Sequence, residues 1–412
     1  MGETLIDEDP LVIGPKQATH PVCLACYRRV DGSYLCTKCG WPMCDENCEI
    51  SDHHADECEL FVNNGLKITV PMDEDCRIYD CIAPLRCLLF VRQEDRRQLL
   101  VGLEAHQSNR KSNGLWDVDR ITVVNVIRHQ WHLAHLYEDD EIQEMCGILE
   151  VNAFAVEAEI QGVDARAIYS TACLMAHDCL PNTTCIINDC HRMSVKASMP
   201  IGKGSLITTS YTFTLDSTQR RRKHLKETKF FDCLCRRCRD PTELGTHLSS
   251  LVCQKCFRSF VVPEDPIKSD SHWVCLDGCG LVVDADFIEQ LLDGLQRQAD
   301  CLNYDDFSGL EAFTDCWSHL LHPNNSILIA VKYYLCQFYG NSAGFFLSEL
   351  SAPLLRRKIQ LCRELLKLAA VLEPGASNLR GLYLLCIVLY VNSIHRDLFL
   401  SCQSAVLNRK SA

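Results

Sequence analysis

The sequence predicts an α+β multidomain chain in which small metal-closed modules and short strands precede a helical C-terminal part. Three observations predict it. The 412 residues contain 28 cysteines, many in pairs two or three residues apart. A glycine turn feeds a β-branched strand in "IGKGSLITTSY" (201–211). Beyond about residue 286, apolar positions recur at helical spacing.

Composition sets the limits. The length fits two or three domains, and 47% hydrophobic residues supply real cores. A net charge of −13 disfavours nucleic-acid partners, because phosphate neutralisation needs basic excess. The longest apolar run, "LYLLCIVLYV" (382–391), is too short to cross a bilayer and reads as a buried helix. The acidic start "MGETLIDEDP" has no apolar stretch, so no secretory signal is expected. Cysteine without a secretory signal implies an intracellular, reducing location, nuclear and/or cytoplasmic, where thiols bind metal, chiefly zinc. Cys87, Cys173, Cys336 and Cys386, outside the pairs, read as small buried hydrophobes.

In chain order, "GETLIDEDPLVIGP" reads as a strand entering and a strand leaving a turn. The next 36 residues hold Cys23-x2-Cys26, Cys36-x2-Cys39, Cys44-x3-Cys48 and His54-x3-Cys58. Eight ligands make two tetrahedral sets. A two-residue gap brings both thiolates to one ion, and a three-residue gap puts two ligands on one helical face. The expectation is two knuckles on turns, then two ligand pairs on short helices, with metal supplying the folding energy of a segment too small for its own core. His53 competes with His54, and the gap to Cys58 favours His54. Helical periodicity follows in "IAPLRCLLFV" and "VVNVIRHQWHLAHLY". His129, His132 and His135 fall at three-residue steps on one helical face, where packing is a better account than metal, since no carboxylate stands in register.

"GILEVNAFAV" and "ARAIYSTACLMAHDCLPNTTC" lead to "IGKGSLITTSY", a glycine turn feeding a strand that ends at a tyrosine. Asp216 or Ser217 caps a helix running to about Lys229. Its run Arg220-Arg221-Arg222-Lys223 reads as a solvated face, with a nuclear address as the alternative. Cys233-x-Cys235-x2-Cys238 is one thiolate short of a tetrahedral site. Cys253-x2-Cys256 and Cys275-x3-Cys279 flank an 18-residue loop, a ribbon-like spacing for one more zinc. From Phe287 onward the chain reads as helices. Leu355, Ile359, Cys362, Leu366 and Ala369 form one stripe, "EPG" (373–375) stops that helix, and a second with Leu382, Leu385, Cys386 and Leu389 packs beside it.

The order C-x2-C, C-x2-C, C-x3-C, H-x3-C resembles the MYND zinc finger. That resemblance implies a cross-brace, with one zinc on Cys23, Cys26, Cys44 and Cys48 and another on Cys36, Cys39, His54 and Cys58. MYND fingers bind proteins, mostly proline-containing peptides, although the tryptophan usual shortly before the histidine is missing here. Together with the segments at 147–156, 165–185 and 197–213, the finger gives a resemblance to the SET-and-MYND proteins of the arthropod branch over nearly the whole chain. It implies a SET-like β-fold split by the finger and a tetratricopeptide-like C-terminal domain. The division is 1–22 N-terminal SET part, 23–58 finger, 59–146 inserted helices, 147–213 SET core, 214–245 post-SET, 246–285 ribbon-like element and 286–412 helical domain. Cys179 becomes the fourth ligand beside Cys233, Cys235 and Cys238. In the family this scaffold transfers methyl groups from S-adenosylmethionine to protein lysines. Tyr211 then lines the lysine channel, and His177 and Asn152 lie near the cofactor.

Several positions depart from that pattern. A glycine-rich strand normally precedes "GETL", whereas this sequence starts at Met1-Gly2, and a longer spliced form would restore it. The family's N-H-S-C-x-P-N reads Ala176-His177-Asp178-Cys179-Leu180-Pro181-Asn182, with alanine replacing the cofactor-anchoring asparagine. That loss costs about 1–3 kcal/mol. Lys229 replaces a tyrosine of the lysine channel, putting a cation where a sulfonium and a lysine must meet. The reading is therefore a zinc-binding protein-interaction module, in transcriptional or chromatin repression, with a degenerate methyltransferase pocket. Its partners are proteins, through the finger and the helical domain, and membranes are not expected. The alternative is an active protein-lysine N-methyltransferase acting on histone or other protein lysines.

Overall fold

Proline and acidic residues divide the first fifteen positions into two strands, β1 (Thr4–Glu8) and β2 (Val12–Pro15), as the turn signal predicts. The computed structural model describes residues 2–72, 76–158, 163–342, 344–346 and 349–388. The two strands serve different sheets. β2 pairs antiparallel with β4 (Val163–Ile168), which also pairs with β3 (Phe154–Ala158). The second sheet runs β1-β7-β6, with β6 at Thr183–Ile187 and β7 at Met193–Ala197. A parallel pair joins β5 (Ala176–His177) to β8 (Thr208–Thr209).

β8 is shorter than predicted, and Tyr211 lies in a bend beyond it. Asn182 accounts for the difference. Its side chain accepts from Thr208 N and donates to Leu206 O, both at 2.8 Å, in place of a neighbouring strand.

Helix α1 (Asp52–Asn63) closes the cysteine-rich segment, and α2 (Ile82–Val91) packs on β2. Gly14 permits that contact, since a Cβ there would lie 2.8 Å from Ala83 Cα. The cysteine-rich segment does not stand apart, contrary to the expectation of a module held by metal alone. Val22, Leu24, Trp41, Met43 and Phe61 share one core with the inserted helices. Trp41 packs on Tyr79 at 5.1 Å, and Trp131 meets Phe61 edge-on at 5.1 Å.

That Trp131 contact also corrects the histidine face. The helical run ends at Gln130, His132 adopts a left-handed backbone with φ 54°, and His135 lies in the following turn. The three rings therefore do not share a helical face, and none joins a candidate metal cluster among the described residues.

The chain returns to the sheets through α3 (Asp139–Asn152), whose start carries a reciprocal Glu138–Glu141 capping box. After β8, Ser217 caps α4 (Thr218–His224) by accepting from Arg220 N, and wider turns continue to Lys229, where the helix was predicted to end. The segment 246–285 forms a four-stranded antiparallel sheet: β9 (Leu251–Val252), β10 (Phe260–Pro263), β11 (Trp273–Cys275) and β12 (Val282–Val283). Helices α5 (Ala285–Asp300), α6 (Phe307–Trp317), α7 (Ser326–Asn341) and α8 (Ala352–Leu372) follow.

The α8 stripe holds. Leu355, Ile359, Cys362 and Ala369 are buried, and Glu373 caps the end at the predicted stop. The next helix, 378–388, corrects the expectation of a fully buried segment. Tyr383 is buried, but Leu382, Leu384, Leu385 and Val388 are exposed. Leu389, the rest of the apolar run and the tail from His395 lie outside the described residues. Cys87 and Cys336 are buried as expected, whereas Cys173 and Cys386 are half-buried. The loop after α8 seats on the sheets: Thr184 Oγ1 donates to Ala376 O at 2.9 Å, and Thr214 Oγ1 donates to Glu373 at 2.6 Å.

Candidate metal centres and the adjoining pocket

Four tetrads of sulfur and imidazole donors assemble, each with its ligand atoms within 4.8 Å of one another. They are Cys23/Cys26/Cys44/Cys48, Cys36/Cys39/His54/Cys58, Cys179/Cys233/Cys235/Cys238 and Cys253/Cys256/Cys275/Cys279. Bonds of about 2.3 Å to a tetrahedral zinc place sulfurs about 3.8 Å apart. The sulfurs lie near that spacing: Cys26–Cys48 3.9 Å, Cys36–Cys58 3.8 Å, Cys179–Cys238 3.6 Å and Cys253–Cys279 3.6 Å. Soft thiolates, four-fold sets and tetrahedral edges all suit zinc.

In the finger the pairs interleave as the resemblance implied. His54, not His53, faces the sulfurs, with Nε2 3.3 Å from Cys39 Sγ. One local expectation changes. Cys44 is not on a helix, because Asp45 caps the four-residue turn Glu46–Glu49 by accepting from Cys48 N.

The second finger set has a supporting shell. His54 Nδ1 donates to Glu57 Oε1 at 3.0 Å, which points Nε2 toward the metal position. Burial alone would raise the Glu57 pKa, but Arg86 and His54 outweigh it and hold the carboxyl below its usual range. Arg86 donates to Glu57 Oε2 at 3.1 Å, to Leu24 O and His53 O at 2.8 Å, and to Ile13 O at 2.9 Å. One guanidinium thus ties the finger to α2 and β2.

The third tetrad joins Cys179, just after β5, to the three post-SET cysteines. The basic run on α4 is not a free solvated face. Arg221 is fully buried, its Nε 3.3 Å from Cys179 Sγ and an Nη 3.7 Å from Cys238 Sγ. Arg222 donates to Pro266 O and pairs with Asp232. Glu243 bridges Arg221 at 2.8 Å and Arg237 at 3.1 Å. Burial pushes Glu243 up, and the two guanidiniums pull it below the ordinary carboxylate value.

Of the residues expected beside the cofactor and the lysine channel, His177 lies next to this tetrad and Tyr211 packs on it, whereas Asn152 lies at the end of α3. The Nδ1 of His177 accepts from Tyr211 N at 3.0 Å, so its proton resides on Nε2, 3.3 Å from Cys179 Sγ. Both ring nitrogens are committed. Tyr211 stacks obliquely on His177 and donates its hydroxyl to Met175 O, while burial raises its pKa. Asp178 is raised by burial and accepts from Leu180 N. Asn152, at the end of α3, donates to Ile148 O at 2.8 Å and Glu104 O at 2.9 Å. Lys229 reaches the same helix end, with Nζ 2.6 Å from Glu150 O and 2.9 Å from Val151 O. Burial lowers its pKa.

The eight finger ligands and the two ribbon knuckles were readable from spacing, whereas the finger pairing and Cys179 came only from the family resemblance; the shell was missed. Glu57 carried one signal, three residues after His54 on a helix. Arg86, Arg221, Arg237 and Glu243 carried none, since their partners are distant in sequence or hidden within a basic run.

Mixed sheet and helix around four tetrads that could hold zinc fit the SET/MYND class. Similarity to known proteins agrees, although no family model matches the chain. SET domain-containing protein SmydA-8, isoform B, of Drosophila melanogaster is 32% identical over 292 residues, 67% of this chain and 61% of the relative. Histone-lysine N-methyltransferase SMYD1 of Homo sapiens is 24% identical over 239 residues, 53% and 47% of the two chains. N-lysine methyltransferase SMYD2 of Rattus norvegicus is 26% identical over 229 residues, 52% and 50%. The chain is an SMYD-like protein, similar to the insect SET-and-MYND proteins. Its matched region spans about three fifths of the length of the fly relatives.

Proposed function

We propose that this chain is a zinc-dependent protein-interaction module on a SET-derived scaffold whose methyl-transfer pocket has degenerated. The observation that carries the reading is the end of α3. Lys229 places an ammonium on Glu150 O and Val151 O, and the Asn152 amide is spent on Glu104 O and Ile148 O. A cation capping a helix C-terminus is favourable, and in this reading it puts positive charge where the family resemblance sets a tyrosine of the lysine channel. His177 has no ring nitrogen left for a ligand, and Ala176 offers none.

In this reading zinc in the finger and the post-SET tetrad is structural. Those residues fix the finger on α2 and hold the post-SET segment against β5. The finger and the helical domain then present surfaces to protein partners, in transcriptional or chromatin repression. No helix among the described residues is long and apolar enough to cross a membrane.

Calorimetric titration of zinc-loaded protein with S-adenosylmethionine tests the pocket. No binding is expected up to about millimolar ligand, a free energy weaker than about −4 kcal/mol. Micromolar binding would overturn the reading in favour of an active protein-lysine N-methyltransferase. The adjacency of Tyr211, His177 and the post-SET tetrad is what favours that second reading. Tethering the chain upstream of a reporter tests repression separately, where unchanged expression counts against it.

A further inference from the structure

The fourth tetrad lies outside both the finger and the pocket, and no step of the proposed function uses it. Its sheet is very short: β9 and β12 have two residues each, β11 three and β10 four. Sheets of such strands do not hold themselves together in water. Two tight turns carry the cysteines. Cys253 O accepts from Phe257 N at 2.9 Å, and Cys275 O accepts from Gly278 N at 3.0 Å. Phe257, Gly278 and Gly280 take the left-handed conformation that such turns need. The second pair of sulfurs, Cys256–Cys275, lies 3.9 Å apart, again near a tetrahedral edge. At 3.6–3.9 Å the sulfurs are far from the roughly 2.05 Å of a disulfide.

The sheet is also the floor of the helical domain. Cys253, Val261, Trp273 and Cys275 belong to one core with residues of α5, α6, α7 and α8. Backbone bonds stitch its edge to the segment entering α7: Val252 N donates to Leu320 O at 2.8 Å, His322 N to Ser250 O at 3.2 Å, and Ser326 N to Leu248 O at 2.8 Å. Gln254 Nε2 donates to His319 O at 3.1 Å.

We infer that Cys253, Cys256, Cys275 and Cys279 hold a structural zinc ion on which the packing of the C-terminal helices depends. The ion closes two knuckles that strand pairing alone cannot hold. The closed sheet then gives α5 and α7 a surface to fold against. This inference is independent of whether the SET pocket binds a cofactor.

The test uses full-length protein purified without added metal. Elemental analysis is expected to find four zinc equivalents, and three in Cys256→Ser and in Cys279→Ser, which change the two half-buried ligands. Hydrogen exchange is expected to lose at least about tenfold protection in 285–300 and 326–338, while 52–63 in the finger stays unchanged. Cys279→His, which substitutes a nitrogen ligand, is expected to keep the fourth equivalent and to shift the visible bands of the cobalt(II)-substituted protein. That variant keeps the test open should the serine variants fail to fold. Unchanged zinc content in the serine variants, iron in place of zinc, or loss of the ion without loss of helix protection would each overturn the inference.

Discussion

The post-SET tetrad and the ribbon tetrad present the same four thiolates to two different environments. A zinc with four thiolates carries two net negative charges, and burying them is costly unless they are compensated. The post-SET site is compensated by side chains: Arg221 contacts two of its sulfurs, and Arg237 and Glu243 complete a fully buried network. At the ribbon site no guanidinium contact to sulfur is seen among the described residues, and Cys256 and Cys279 remain half-exposed to water. A buried cluster needs fixed countercharge, whereas a knuckle at the surface can leave much of that task to solvent.

Metal removal should give the largest effect. Apparent binding energies of structural zinc, about 10–16 kcal/mol per site, exceed the stability of most domains. A strong chelator is therefore expected to unfold the chain, with the ribbon zinc leaving before the post-SET zinc. Time-resolved zinc release followed with cysteine variants of each site checks the order, and simultaneous release would erase the contrast.

Glu243→Ala leaves Arg221 and Arg237 buried with one countercharge fewer and should cost about 3–5 kcal/mol. Lys255→Ala, on the exposed ribbon knuckle, should stay within about 0.5 kcal/mol of the parent. Urea denaturation measures both, and equal losses would show that the countercharge is unimportant.

Arg86→Met asks whether the finger follows the post-SET rule. Glu57 would be left buried beside His54, and zinc affinity at Cys36/Cys39/His54/Cys58 should fall about 10–100-fold. Competition with a chromogenic chelator reads it out, with the Cys23 set as the internal control.

Gly375→Ala acts on the joint between the halves. Gly375 has φ 91°, and a Cβ there would stand 1.7 Å from Ser198 O. A cost of about 1–3 kcal/mol is expected, seen as faster hydrogen exchange in β6 with the ribbon zinc retained.

The smallest effect concerns pH. His322 stacks on His247 at 4.7 Å between the ribbon and α7. Burial, with His247 and Lys332 nearby, depresses its pKa to about 4. A depressed folded pKa means this stability is fully present above the unfolded value near 6.5 and is lost as pH falls toward 4. Between pH 7.5 and 6 the parent should lose on the order of 1 kcal/mol more than His322→Gln. Parallel melting curves for the two proteins would refute this.

Sequence reading succeeded where chemistry is local. The sixteen cysteine and histidine side chains singled out do converge in four tetrads; knuckle spacing, set by bond lengths and turn geometry, marks fifteen of them, and only the family resemblance supplied Cys179 and the finger pairing. It failed where a residue's environment comes from elsewhere. The three-residue steps of His129, His132 and His135 gave the right period, but Trp131 enters the finger core and ends the helix there. The basic run on α4 looked like a solvated face because sequence cannot place Cys179 beneath it.

By itself the sequence determined the cysteine knuckles, the α+β class and the main α8 stripe, since each is a matter of pattern along the chain. Only the tertiary structure decided that the finger shares a core with the inserted helices, that Arg86 backs the His54 tetrad through Glu57 while Arg221 contacts Cys179 and Cys238, and that Lys229 occupies the end of α3. Those contacts join residues 29, 42 and up to 79 positions apart. Burial and countercharge are settled by what packs around a side chain, and no local period encodes that.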